Sequence, residues 1–183
     1  MTRFRSLLFV LLALTAAAAP AEAQPVFERP ALLTSVGQSS DIAIVKVIVN
    51  TQLKLGFDVK PVAQAADLEG VKTLAVVVGA STKGLCAAGL DLDKEVARAG
   101  ELLKTAKARG IKVLVLHTGG EARRGKTSND VIQAVVPDAD YVIVVAAGNK
   151  DSLFNTLAAK RNTPVVQVEK ATNVGDALKA VVK

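Results

Sequence analysis

The sequence predicts an α/β fold, a three-layer α/β/α sandwich around a mostly parallel sheet of five to six strands, flavodoxin-like or Rossmann-like. Three observations carry this expectation. Short apolar runs alternate with stretches of helical periodicity along the chain, which implies parallel strands joined by crossover helices. Two of the runs, Thr73–Gly79 and Ile111–Leu116, are continuously apolar rather than alternating, as in strands covered on both faces. The loops following the strands are polar and glycine-rich at one end, whereas those around Gly56, Gly110 and Asp138 are short and plain.

Taken in order, Gln24–Pro30 reads as an extended lead-in and Ala31–Val36 as the first strand. Ser39 or Ser40 is placed to cap a helix that runs to about Leu55 and closes at Gly56. Its segment Ile42–Val49 is rich in β-branched residues and also suits a strand; length and the two end signals decide for helix. Phe57–Val62 is the second strand and Ala63–Val71 a short crossover. Residues 79–89, after the third strand, read as a loop. Leu90–Arg109 is the clearest helix, with Leu92, Val96, Ala99, Leu103 and Ala106 on one stripe and the Lys and Arg residues on a solvated face. Thr127–Val136 is a helix stopped by Pro137, Tyr141–Ala146 the fifth strand, and Asp151–Lys160 a helix. Pro164–Val168 is a sixth strand suited to an edge, and Asn173–Val182 the last helix.

The first residues predict export. Arg3 and Arg5 precede an apolar run, Leu7–Ala19, and Ala21-Glu22-Ala23 offers small residues at a cleavage site, so residues 1–23 read as a signal peptide. Residues 24–183 then form one domain, periplasmic or secreted. Of the chain's 23 basic and 17 acidic residues, Arg3, Arg5 and Glu22 fall in the signal, which leaves 21 and 16, a net +5. That balance favours small anions at a focused site. With 3% aromatics and no Trp, the chain lacks a base-stacking platform, so nucleic acid is not an expected partner. After the signal, no apolar stretch reaches the roughly 18 residues of a membrane span. The single cysteine, Cys86, allows no internal disulfide and reads as a small buried apolar residue. No cysteine follows the signal to carry a lipid anchor.

In an open parallel sheet, ligands bind beyond the carboxyl ends of the strands at the switch in strand order. The loops expected there hold Gly37, Gln38, Ser39 and Ser40 after the first strand, and Ser81, Thr82 and Lys83 after the third. After the fourth come His117, Gly119, Gly120, Arg123 and Arg124, and after the fifth Asn149. Together these supply amides, hydroxyls and cations for a carboxylate, phosphate or sulfate. The arginines can instead pair with local acids such as Glu121 or Asp130. Gly120–Thr127 also fits the phosphate-loop pattern G-x-x-x-x-G-K-[ST]. An exported compartment lacks ATP, and the fifth strand ends without an aspartate for magnesium, so nucleotide hydrolysis is not expected. His117, the only histidine, suits a general base or a hydrogen-bond donor. No His, Cys and carboxylate cluster has metal-ligand spacing, and no cofactor is implied.

Thr34-Ser35-Val36-Gly37-Gln38-Ser39-Ser40-Asp41, Gly79-Ala80-Ser81-Thr82-Lys83-Gly84 and Glu121-Ala122-Arg123-Arg124-Gly125 together resemble a family of exported bacterial proteins classed as a domain of unknown function. The resemblance covers nearly the whole mature chain. It implies a single exported domain and offers no catalytic residues. The first functional reading is therefore a binding protein for a small anionic molecule, serving a membrane transporter or a sensor. The alternatives are an exported hydrolase-like enzyme using His117 with a loop serine, and a structural partner-binding domain.

Overall fold

The computed structural model describes residues 25–183. The expected signal peptide and the expected cleavage point before Gln24 lie outside them. Six parallel strands form one sheet in the order β2-β1-β3-β4-β5-β6: β1 Ala31–Val36, β2 Asp58–Val59, β3 Thr73–Val78, β4 Lys112–His117, β5 Tyr141–Val145 and β6 Val165–Val168. This is the flavodoxin-like wind, with the change of direction between β1 and β3. In-register pairing runs from Ala31 opposite Thr73 to Val36 opposite Val78. Every residue of β1 and β3 is buried, which accounts for the continuous apolar run of β3; in β1 the burial extends to Thr34 and Ser35.

Helices cover both faces. On one, Val45, Ile48, Val174 and Leu178 pack over Leu33, Val77 and Leu116; these come from α1, Asp41–Lys46 with its continuation, and α6, Val174–Val181. On the other, α3 (Leu92–Ala108), α4 (Lys126–Val135) and α5 (Leu153–Ala158) cover Leu32, Val76 and Val115 with Leu102, Ile132 and Phe154. Alternate residues of each strand thus serve opposite cores. Among the described residues, no helix is long and apolar enough to cross a membrane.

The structure revises several boundaries. The first helix leaves α geometry at Lys46 and continues as a π-helix, Val47–Gln52, where Leu53 N donates to Ile48 O at 2.9 Å. This wide turn takes in the end of the β-branched run, Val47–Val49, whose first half lies in α1. Strand β2 keeps only Asp58–Val59, although its contact with β1 runs on irregularly, with Lys60 N donating to Leu33 O at 2.9 Å and Ser35 N to Pro61 O at 3.1 Å. Residues 79–89 are not all loop: Thr82–Ala87 form a helix, α2, capped by Ser81, whose Oγ accepts from Gly84 N at 3.2 Å. Gly84 hid this helix from its sequence, and the structure explains the glycine, since a Cβ there would collide with the Gln38 carbonyl. Helix α2 turns only Leu85 inward, so Cys86 is exposed rather than buried. The polar side of α3 is not uniformly solvated either, because Glu95 and Arg98 are buried. At the opposite end of the sheet, the lead-in closes on the C-terminus. Phe27 N donates to Val181 O at 2.8 Å and Lys183 N to Phe27 O at 2.9 Å, while the Phe27 ring meets Tyr141 edge-on.

Candidate functional site

The loops after β1 and β3 meet beyond the carboxyl end of the sheet and are laced together. Gly79 N donates to Val36 O at 3.0 Å, Ser81 N donates to Gly37 O at 2.8 Å, and Gln38 bridges to Ala80. The approach is so close that a Cβ on Gly37, whose φ is +95°, would lie 2.5 Å from the Gly79 carbonyl oxygen. Only glycine fits there. Gln38 follows in the left-handed region at φ +54°, a conformation a non-glycine residue holds only when its surroundings enforce it.

The enforcing groups are Glu95 and Arg98. Glu95 Oε1 accepts from Gly37 N at 2.7 Å and from Gln38 Nε2 at 2.8 Å. Arg98 Nε donates to Glu95 Oε2 at 2.7 Å, and its terminal nitrogens donate to Ser35 O and Ala63 O. Burial pushes the Glu95 carboxyl up, and the bonds from Arg98, Gln38 and Gly37 outweigh it, so its pKa lies below the ordinary value. The Gln38 side chain therefore turns inward, donating also to Ser35 O and Pro61 O, and fixes the loop. The sequence reading missed Glu95 and Arg98. The signal was an acid and a base at i, i+3 flanked by the apolar stripe of α3.

Arg123 lies across this junction. Its Nε is 3.4 Å from Asp41 Oδ1 and a terminal nitrogen donates to the exposed Ser40 Oγ at 3.1 Å. Its stem rests on two glycines: a Cβ on Gly79 would come within 3.5 Å of Arg123 Cβ, and one on Gly119 would overlap the Arg123 stem and the Asp41 carboxylate. Ser39 is buried beside them and its Oγ accepts from Asp41 N at 3.2 Å. Asp41, at the first turn of α1, was not singled out by the sequence reading. Its Oδ2 is buried without a hydrogen-bond partner, as are Thr118 Oγ1 and Ser35 Oγ.

The remaining candidates fall into three settings. Thr82 and Lys83 are exposed on the first turn of α2. His117 is fully buried below the loops, with Nδ1 2.9 Å from Val78 O and Nε2 3.2 Å from Gly120 O. Burial lowers its pKa, more than the two carbonyls and Asp41 raise it, and the Arg124 charge lowers it further. Both ring nitrogens face main-chain oxygens, so neither is turned to Ser39 or Ser81. Arg124 and Asn149 lie over β5, away from the β1–β3 junction. Arg124 donates to Asp151, Asn129 and the Gly148 carbonyl, and stands over the Phe154 ring. Its guanidinium holds the Asp151 carboxyl down at about 2. Asn149 is buried and caps α5, accepting from Phe154 N at 3.1 Å.

Within the phosphate-loop match, Gly120–Arg123 coil into a 3₁₀ turn and Lys126 pairs with Asp130 at 2.9 Å on the surface. The acids thus pair differently from the sequence expectation: Glu121 takes Lys150, Asp130 takes Lys126, and the arginines reach Asp41 and Asp151. No group of three or more His, Cys, Asp and Glu residues is arranged to hold a metal ion among the described residues.

The family model of DUF6305, a domain of unknown function, matches residues 28–182, which is nearly all of the described chain. The chain belongs to the DUF6305 family. The match spans every strand and helix, so the laced loops and the Glu95–Arg98 network both lie within the DUF6305 domain. No curated protein matches the chain.

Proposed function

We propose that this protein is an exported, periplasmic or secreted binding protein for a small anionic molecule, held at the β1–β3 junction and passed to a membrane transporter or sensor. The observation that carries the reading is Arg123. It stands at the switch point with 29% of its side chain exposed, on a surface of two glycines, and its contact to Asp41 is long for an ion pair. Its neighbours Arg124, Lys126 and Lys150 are all committed to carboxylates at 2.9 Å or less. Arg123 is thus the cation at this edge with a planar fork to offer. Lys83 stands exposed on the first turn of α2 as a second cation. The residues held from behind by Glu95 give the loop a fixed shape before a ligand arrives.

Calorimetric titration of the mature chain with phosphate, sulfate, succinate and the free amino acids tests the reading. The expected result is saturable binding by at least one compound, weakened by about 1.5–3 kcal/mol in Arg123→Ala, the range for a charge-assisted contact. Affinity unchanged by joint replacement of Arg123, Arg124 and Lys83 with alanine would refute it. Export rests on the first 23 residues and is tested separately. N-terminal sequencing of the secreted protein should begin at Gln24, and a retained Met1 in a membrane fraction would mean an anchor.

A further inference from the structure

The polar atoms around Arg123 say more about the ligand than its charge. Asp41 has 9% of its side chain exposed, and only Oδ1 meets a donor, Arg123 Nε at 3.4 Å. Oδ2 is closed off from solvent with no partner. It faces the slot between the Gly119 main chain and the Arg123 stem, where a Cβ on Gly119 would strike both. The Ser39 hydroxyl borders the same slot, 3.7 Å from where a Cβ on Gly79 would stand. One residue before Gly119, Thr118 Oγ1 is also buried and unpartnered. The Asp41 carboxylate oxygen and the Ser39 hydroxyl thus both border the aliphatic part of Arg123, which fills the slot. A buried carboxylate oxygen without a donor is costly, so it marks a place where a donor belongs. An anion alone does not supply one.

We infer that the ligand of this site is a zwitterion of amino-acid type, whose primary ammonium takes the slot beside Asp41 Oδ2 while its carboxylate takes the guanidinium of Arg123. The inference rests on the anion-binding reading above and adds the second group. An ammonium carries three N–H donors on one small head, which suits Asp41 Oδ2 and the Ser39 hydroxyl together. Its arrival requires the Arg123 stem to leave the two glycines. That movement turns the guanidinium from Asp41 toward the ligand carboxylate, so each charge of the resident pair finds an opposite charge on the ligand. Neither charge is left buried alone.

The test is a calorimetric comparison on the mature wild-type chain, using the twenty free L-amino acids and their desamino counterparts, among them propionate, succinate and glutarate. The inference expects at least one amino acid to bind and its desamino counterpart to bind about ten-fold more weakly or worse, the loss of one charge-assisted contact. Asp41→Asn should weaken the amino acid to a similar degree without weakening the desamino acid, since the variant frees Arg123 and removes a carboxylate that repels an anion. If that variant does not fold, the wild-type pair of ligands alone decides. Equal binding of the amino and desamino acids would overturn the inference and leave the anion reading standing. So would an amino acid insensitive to Asp41→Asn. Binding of phosphate or succinate without any amino acid would have the same meaning. Silence from every compound, anions included, would overturn the zwitterion and the anion reading together.

Discussion

Arg98 and Arg124 both meet a carboxylate at hydrogen-bond distance, 2.7 Å to Glu95 and 2.8 Å to Asp151, yet the two pairs contribute differently. The Arg98–Glu95 side chains are 4% and 0% exposed, and the pair is bonded to the main chain at Ser35 and Gly37, at the end of β1, and at Ala63 in a second segment. The Arg124–Asp151 pair has its carboxylate 59% exposed at the rim of the β5 end. Both are arginine–carboxylate contacts of good length. Burial and backbone partners make one of them a frame for the β1 loop, whereas water screens the other.

Removing one partner from each pair should expose that difference. Arg98→Ala leaves Glu95 buried and uncompensated, and should cost about 3–5 kcal/mol in urea denaturation. A cost under about 1 kcal/mol would erase the contrast. Gly37→Ala probes the loop that the buried pair holds. Its Cβ meets the Gly79 carbonyl and its φ is +95°, so a loss of about 1–3 kcal/mol is expected from the same measurement. Acid titration separates the pairs by pH. Both carboxyls titrate below their ordinary values, so each contributes stability that is complete above its unfolded pKa and is lost as pH falls through the folded one. For Asp151 that window runs from 3.8 down to about 2. Glu95→Gln should remove the part of the acid-induced loss that begins below pH 4.5, and Asp151→Asn the part that begins below 3.8. At neutral pH, Asp151→Asn should cost under about 1 kcal/mol because the carboxylate is largely solvated.

The smallest signal comes from His117, between the two regions. As the only histidine, it gives a single imidazole resonance for NMR titration. Its midpoint should fall below 6.5, because burial disfavours the imidazolium. The neutral ring then contributes stability that is full above 6.5 and declines as pH falls through the lower folded value. A midpoint at or above 6.5 would mean that the Val78 and Gly120 carbonyls and Asp41 outweigh burial.

The sheet was readable because its signal is local. Val76–Val78 and Val113–Leu116 are apolar without alternation, and each run is its own evidence for a strand covered on both faces. Gly37 and Arg123 were readable as loop residues at strand ends. Their setting was not, because the partner of Arg123 is Asp41, far away in sequence. Glu95 and Arg98 escaped for the same reason. An acid and a base on an amphipathic helix normally face water, and only the fold shows that the Gly37 amide stands where solvent would be. Helix α2 was lost to Gly84, which local propensity counts against a helix and which close packing on Gln38 requires.

The seam where Phe27 meets Val181 and Lys183 gives the domain a direction in time. A parallel sheet has no hairpins, so β1 waits for residues 58 and 73 before it has a neighbour. The ring of Phe27 and its main-chain groups wait for the last turn of the chain. A polypeptide emerging amino end first carries its opening residues unpaired until its final ones are free. The seam thus keeps the domain from locking shut until the last turn of the chain is free. Cutting away the last three residues would undo the opposite terminus.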